Sequence, residues 1–195
     1  MSGELSLDDL VSNGTMSAAI AATLRAAARQ HRSFIVVAVP RLAGKSTVMR
    51  AMLAERPKSS PLKTLAEDGD DIDRLIRESK TGYLVIPEIT QSGAMPGYVW
   101  GAPVLRIFRG IDGVALAATL HADGPEDAFA QIAACGVPDA DASKIALAVY
   151  LRSIGHWEKP ERRVVQSVHE IDGVTGGKPR TKLLHRWDEQ RDRFT

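Results

Sequence analysis

The strongest chemical signal in the sequence is the tripeptide Gly44-Lys45-Ser46, which follows an apolar run and precedes a helical pattern. It matches the end of the phosphate-loop pattern G-x-x-x-x-G-K-[ST]. In such a loop the backbone N–H groups surround a phosphate, the lysine binds the β- and γ-oxygens, and the hydroxyl binds Mg²⁺. We therefore predict that nucleotide phosphates bind to Arg41, Leu42, Ala43, Gly44, Lys45, Ser46 and Thr47.

The beginning of this loop departs from the pattern. Val39 occupies the position of the first glycine, and the following Pro40 has a fixed φ and no backbone N–H. The loop is therefore expected to be stiffer and to offer one donor fewer. An ordinary strand-to-helix turn with a solvated lysine is the alternative interpretation of the same tripeptide.

Further acidic side chains follow apolar segments, at the edge of an open parallel sheet where ligands bind. Glu88 follows the run Tyr83–Ile86, which suits either a carboxylate that binds the waters around Mg²⁺ or one that orients the water attacking a phosphate. Glu67 and Asp68 follow the segment Leu62–Ala66, and they would reach the same crevice if this strand lies next to the phosphate loop. For these carboxylates the alternative is a solvated position at the protein surface.

His121 follows another apolar run, in the string AATLHADGPEDA. An imidazole can hydrogen-bond a γ-phosphate and so report its loss. Capping of the next helix, near Asp123, is the alternative role. Arg50, Arg106 and Arg109 are candidates for arginines that stabilise phosphate charge within an oligomer, and solvated helix positions are the alternative for each.

The elements that must position these groups alternate along the chain. Apolar runs predict strands over Phe34–Val39, Leu62–Ala66, Tyr83–Ile86 and Val114–Leu120. Capping residues Ser6 and Ser17 predict two helices before the first strand. Helical spacing predicts further helices after Ser46, near Asp70, around Val104, from Pro125 and over 141–149. This alternation predicts an α/β fold, with a mostly parallel sheet and helices on both faces.

In the C-terminal part of the chain, the spacing of apolar residues differs from the alternation of strands and helices that precedes it. Residues 163–171 and 182–187 are typical of extended segments, and the turn-rich stretch between them predicts an antiparallel hairpin. We expect one domain overall, in which residues 1–33 form N-terminal helices that lead into a core of residues 34–195.

The composition excludes several classes of protein. The 195 residues are 44% apolar and 25% charged, which is typical of a folded protein rather than a disordered one. Apolar runs are far shorter than the about 20 residues of a membrane-spanning helix, and the acidic N-terminus is unlike a secretory signal. The single cysteine fits a reducing cytosol. Since the net charge of +1 provides no general attraction to nucleic acid, we expect a cytoplasmic protein without a nucleic-acid partner.

Taken in order, these motifs resemble the secretion ATPases of type II and type IV secretion and of type IV pili, in the branch that serves tight-adherence pili and conjugation-type secretion. AGKST is similar to that family's phosphate loop, LAED (65–68) to its acidic box, and LVIPEIT (84–90) to its Walker B segment, with Glu88 at the catalytic position. GVALAATLHADGPEDAFAQI resembles its histidine box, with His121 as the box histidine.

The resemblance implies a RecA-like P-loop NTPase with ATP and Mg²⁺ as cofactors. Lys45, Glu88 and His121 would be catalytic, and Ser46 would bind the metal, with Glu67 and Asp68 acting through water. It also implies a homo-oligomeric ring, with a hexamer as one option, and secretion or pilus platform proteins of the inner membrane as partners. Such a protein is cytoplasmic and reaches the inner membrane through those partners.

The sequence departs from the family at Val39, at Pro87, where Walker B usually has Gly or Asp, and at Thr90, where it often has Arg. The stretch between Asp68 and Tyr83 is also shorter than the family's. Three interpretations therefore stay open. The chain is an ATP-hydrolysing motor component, a degenerate relative that binds nucleotide or protein without turnover, or a small-molecule kinase.

Overall fold

The computed structural model describes residues 4–39, 42–66, 71–91, 95–156 and 158–195. The helices are α1 (Leu7–Ser12), α2 (Ala18–Arg29), α3 (Lys45–Ala54), α4 (Ile72–Glu78), α5 (Ala102–Gly110), α6 (Pro125–Ala134) and α7 (Asp139–Ala142). The strands are β1 (Phe34–Val37), β2 (Leu62–Thr64), β3 (Tyr83–Ile89), β4 (Tyr98–Val99), β5 (Ala115–Leu120), β6 (Leu147–His156), β7 (Lys159–Thr175), β8 (Lys178–Asp188) and β9 (Arg193–Phe194). No helix in these ranges is long and apolar enough to cross a membrane.

The strands form a sheet in the order β2-β3-β5-β1-β6-β7-β8-β9, and β4 pairs with β3. β1 lies between β5 and β6 and pairs in parallel with both. β3 pairs in parallel with β2, β4 and β5. The strands β6, β7 and β8 are antiparallel to one another in turn. The predicted fold class is therefore confirmed, as a mostly parallel sheet that ends in an antiparallel hairpin.

The side chains of β1 alternate between two apolar cores, one on each face of the sheet. Phe34 and Val36 pack in the core that includes residues of α1, α2 and α3. Ile35 and Val37 pack in the core that includes residues of α4, α5, α6 and α7. Because both faces are covered, every position of the strand must be apolar, and all four side chains are fully buried.

The two predicted N-terminal helices form, and serines cap both. The Asp9 carboxylate accepts from the Ser6 N–H at 2.8 Å, and the Asp9 N–H donates to the Ser6 hydroxyl at 3.1 Å. The Ser17 hydroxyl accepts from the Ile20 N–H at 3.2 Å. Leu7 and Ile20 of these helices are fully buried in the same core as Phe34. The predicted division of the chain at residue 33 stays a prediction.

The helix predicted over 141–149 is wrong. Only Asp139–Ala142 is helical there, and Leu147 begins the strand β6, opposite Phe34 of β1. Leu147 and Val149 enter one core and Ala148 the other. A short apolar run does not distinguish a buried helix from a buried strand by its period. The pairing of this run with β1 and β7 makes it a strand.

The C-terminal hairpin is confirmed, but its strands are longer than predicted. β7 continues to Thr175, and β8 begins at Lys178 after a two-residue turn. Gly176 and Gly177 have φ values of +58° and +72°, which suit the type I′ turns of tight hairpins. Both of their N–H groups donate to the Asp139 carboxylate, at 2.7 and 2.9 Å. Most of the turn-rich stretch expected between the two extended segments is therefore strand.

Candidate nucleotide-phosphate site

The chain passes from β1 into α3 through a turn that requires glycine. Gly44 has φ +94°, a left-handed conformation that costs other residues about 1–2 kcal/mol. α3 begins at Lys45, and among the described residues no side chain caps its first turn. The N–H groups of this turn therefore carry the partial positive charge that attracts anions. Residues 42–47 lie on this loop and turn, whereas Arg41 lies outside the described residues.

Lys45, Glu88 and His121, which the sequence marks as catalytic candidates, lie together beside this turn. Lys45 Nζ is 3.5 Å from Glu88 Oε2 and 3.2 Å from His121 Nδ1. His121 Nε2 is 4.0 Å from the same Glu88 oxygen. The lysine begins α3, the glutamate belongs to β3, and the histidine follows β5. These elements meet because β5 lies between β3 and β1 in the sheet.

Glu88 lies within β3 rather than after it, and only 5% of its side chain is exposed. A solvated position is therefore wrong for this carboxylate. The Thr119 hydroxyl lies 2.8 Å from Glu88 Oε2 and 2.5 Å from the Pro87 carbonyl oxygen, and its single hydrogen goes to one of them at a time. Glu88 Oε1 is buried without a hydrogen-bond partner among the described residues. Since an unpaired buried polar group costs about 1–3 kcal/mol, this oxygen is suited to a donor from outside the protein.

His121 does not cap the following helix. The N-cap of α6 is Gly124, without a side-chain bond, and the His121 carbonyl instead accepts from Gln131 Nε2 at 2.7 Å. The ring Nδ1 lies 3.1 Å from the Val39 carbonyl oxygen, to which only a protonated nitrogen can donate. That tautomer leaves Nε2, 3.4 Å from Lys45 Nζ, as the acceptor for the lysine. The imidazole thereby links the end of β1 to the lysine.

These groups open onto a cleft of about 750 Å³, a volume within the range of small-molecule sites. Residues 42–48 form one wall, next to Glu88 and His121. The opposite walls come from the N-terminal segment, from the region of β4, and from β7. They contribute Leu5, Leu10, Asn13, Thr15, Met95, Tyr98, Glu161, Arg162 and Arg163.

Two consecutive arginines of β7 contact both sides of this cleft, and no motif in the sequence marks them. Arg163 Nε donates to the Leu42 carbonyl at 2.6 Å. Arg162 donates to the Gly14 carbonyl at 3.1 Å and to the Asp192 carboxylate at 2.6 Å. Only the pairing of β7 with β6 carries these side chains to the cleft, so a local pattern could not have revealed them.

The arginines proposed from the sequence lie elsewhere. Arg106 Nε donates to Asp73 at 3.0 Å, and Arg50 Nε lies 3.6 Å from a Glu4 oxygen. Neither of them lines the cleft, and neither does Arg109. A role for these three in a single copy of the chain is therefore without structural support.

The predicted metal site falls partly on residues that the structure does not describe. Glu67 and Asp68 lie outside the described ranges, so their role stays a prediction. Ser46 lines the cleft in the first turn of α3. Within the described part of the chain no three His, Cys, Asp or Glu side chains form a metal-binding group. The donors present, a hydroxyl and a buried carboxylate oxygen, fit a Mg²⁺ ion that takes its other ligands from phosphate and water.

The sheet order and the turn into α3 give the chain a fold that it shares with two ATPases of known structure. The chain is similar to the VirB11 ATPase of the Brucella suis type IV secretion system in complex with sulphate, with a TM-score of 0.55 and 18% identity over 86% of this chain and 57% of that one. It is also similar to the Legionella pneumophila ATPase DotB, with a TM-score of 0.58 and 12% identity over 97% of this chain and 53% of that one.

This likeness is one of fold, because the identities are low. The chain spans little more than half the length of these two proteins. No protein-family model matches the chain, and no curated protein matches it in sequence.

Proposed function

We propose that this chain binds ATP with Mg²⁺ in the cleft beside α3 and hydrolyses it, as a motor component of a type II or type IV secretion system or of type IV pilus assembly. The observation that carries the proposal is the buried group of Lys45, Glu88 and His121 at the N-terminus of α3. The fold shared with the VirB11 and DotB ATPases supports it.

The phosphates bind to the loop and to the first turn of α3. The backbone N–H groups of residues 42–47 donate to phosphate oxygens, and the partial charge of the helix end favours an anion there. Lys45 leaves its partners Glu88 and His121 to bind the β- and γ-oxygens. The Ser46 hydroxyl would hold Mg²⁺, which would supply positive charge to neutralise the nucleotide phosphates.

Glu88 and His121 act on the γ-phosphate end of the nucleotide. The unpaired Glu88 Oε1 accepts a hydrogen bond from the attacking water and so orients it. His121, tied to the end of β1 through Val39, contacts the γ-phosphate end of the nucleotide and thereby senses its loss. Because Glu88 is almost fully buried, these interactions are stronger than they would be in water.

The assembly is part of the same proposal. Similarity to secretion ATPases supports a homo-oligomeric ring, for which a hexamer is one option. This ring would lie in the cytoplasm and contact platform proteins of the inner membrane. In such a ring a neighbouring copy adds charge to the site, so the rate of hydrolysis per chain rises with protein concentration.

A second candidate function is nucleotide binding without turnover. Pro87 precedes Glu88 inside β3, and its carbonyl oxygen lies 2.5 Å from the Thr119 hydroxyl, which therefore cannot always serve the Glu88 carboxylate. If the Glu88 carboxylate is held less firmly, it orients the attacking water less well. In this case ATP binds with Mg²⁺ but no phosphate is released.

The test compares phosphate release and fluorescent ATP binding for the wild type, Lys45→Ala and Ser46→Ala, at several protein concentrations. Lys63→Ala is the matched control, because Lys63 pairs with Glu78 at 2.9 Å and does not line the cleft. We expect the two site variants to lose turnover and the control to keep it. Ser46→Ala leaves the buried ion pair intact. It therefore still tests the site if Lys45→Ala does not fold.

Three other results are decisive. Equal rates for the wild type and both site variants contradict the proposed catalysis. ATP binding without phosphate release in the wild type selects the second candidate. Absence of ATP binding by a folded wild-type chain overturns both.

A further inference from the structure

Arg163 of β7 lies directly against the phosphate loop. Its Nε donates to the Leu42 carbonyl at 2.6 Å. Its Cδ is 3.2 Å from the position that a β-carbon on Gly44 would occupy. Leu42 and Gly44 both have positive φ, at +62° and +94°, so the arginine contacts the loop where its backbone reverses direction.

Arg163 also brings an uncompensated positive charge to the cleft. Of the other cations that line it, Lys45 is 3.5 Å from Glu88 and Arg162 is 2.6 Å from Asp192. Across the described ranges, Arg163 has no carboxylate within ion-pair distance, and the only hydrogen bond of its side chain is the one from Nε. Both terminal amino groups of its guanidinium are therefore available to a ligand.

The position of this charge is set by strand pairing rather than by a loop. Arg163 lies opposite Ser153 in the β6–β7 pair. The neighbouring Arg162 is bonded to Gly14 and Asp192. Because β7 is held in this way, little conformational freedom is lost when the guanidinium meets a ligand.

We propose that Arg163 is a second phosphate-binding cation of this site, supplied by the same chain. Nε holds the loop through Leu42, and the terminal amino groups bind oxygens of the β- and γ-phosphates of the nucleotide. A guanidinium suits this task because its planar donors form paired, charge-assisted bonds with phosphate. The inference rests on the proposed nucleotide site and adds a residue that no phosphate-loop motif contains.

The experiment titrates Arg163→Gln and Arg163→Lys with fluorescent N-methylanthraniloyl derivatives of ATP, ADP and AMP at fixed Mg²⁺. Arg152→Gln is the matched control, because it removes the same charge from β6, where Arg152 pairs with Glu189 at 2.8 Å. Thermal unfolding shows that each variant is folded. We expect Arg163→Gln to weaken ATP binding at least about tenfold and AMP binding much less. Arg163→Lys should be intermediate, and the control should stay within about twofold of the wild type.

The outcomes separate this inference from the proposed function. If the wild type binds no nucleotide, the proposed function fails. If the wild type binds ATP and Arg163→Gln binds it equally well, the role of Arg163 is refuted while the site stands. An equal loss for ATP, ADP and AMP also contradicts a contact with the β- and γ-phosphates, since AMP lacks both and a residue that only shapes the loop would give that result.

Discussion

Lys45 Nζ and Glu88 Oε2 lie 3.5 Å apart, with only 7% and 5% of their side chains exposed. A charge pair this buried depends on its partners, because removing one of them leaves the other unpaired at a cost of about 3–5 kcal/mol. The Thr119 hydroxyl lies within hydrogen-bond distance of Glu88 Oε2, and Nε2 of the His121 ring lies within hydrogen-bond distance of Lys45 Nζ. The site is therefore a coupled unit, and its variants must separate loss of chemistry from loss of folding.

Glu88→Gln should keep ATP binding and lose hydrolysis. The amide has the size of the carboxylate but cannot take a proton from water, and general-base assistance contributes about 10²–10⁴ in rate. The measurements are phosphate release and fluorescent ATP binding on the same preparation. Glu78→Gln is the control, because Glu78 is exposed on α4 and pairs with Lys63. Undiminished turnover in Glu88→Gln would remove the carboxylate from the mechanism.

Thr119→Val should lower kcat by about tenfold or more and leave KM nearly unchanged. Valine fills the space of this fully buried threonine but gives no hydrogen bond to Glu88 Oε2, so the carboxylate loses its orientation. Thr119→Ser keeps the hydroxyl and should restore most of the rate. A parallel fall in the rate of the serine variant would indicate a packing role for Thr119 instead.

Gly44→Ala should weaken ATP binding and lower the melting temperature by a few degrees. A β-carbon is disfavoured by about 1–2 kcal/mol at a φ of +94°, and it would lie only 3.2 Å from Arg163 Cδ. Gly113→Ala is the matched control, since Gly113 has φ +78° but no heavy atom within 4 Å of the added carbon. The control should show the loss of stability without the loss of binding. If both variants bind ATP like the wild type, the shape of the loop at Gly44 is not important.

The stability of the chain should fall as the pH is lowered through the range where histidine titrates. Burial lowers the pKa of His169, against the opposing charge of Glu126, and burial also lowers the pKa of His185. The unfolded chain therefore binds more protons than the folded one below pH 6.5, the ordinary pKa. This stabilising contribution is complete above that pH and is lost as the pH falls toward the lowered pKa values.

Urea unfolding at pH 7.5 and at pH 5.5 measures this dependence. His169→Gln should reduce the difference in unfolding free energy between the two pH values, by at most about 1.4 kcal/mol per pH unit for one proton. His156→Gln, at an exposed position at the end of β6, is the control and should behave as the wild type does. If the unfolding free energies at the two pH values differ by the same amount in His169→Gln as in the wild type, His169 does not contribute to the pH dependence of stability.

Several features could be predicted because they depend on neighbouring residues. Ser6 with Asp9, and Ser17, are capping patterns that satisfy N–H groups within three positions of the cap. The run from Phe34 to Val37 is apolar throughout, which is what a strand buried on both faces requires. The predicted helix over 141–149 failed because its apolar run is compatible with either structure. Its place beside β1 depends on a partner more than 100 residues away.

The sequence by itself determined which residues could bind phosphate and activate water, because Gly44, Lys45, Glu88 and His121 have the required chemistry next to recognisable strands. Only the tertiary structure decided that three of these side chains meet within 4.0 Å of one another and that Glu88 is buried. It also brought Arg163 to a loop 121 positions away. The physical reason is that strand order and register are set by long-range pairing and shared burial, which a local pattern does not encode.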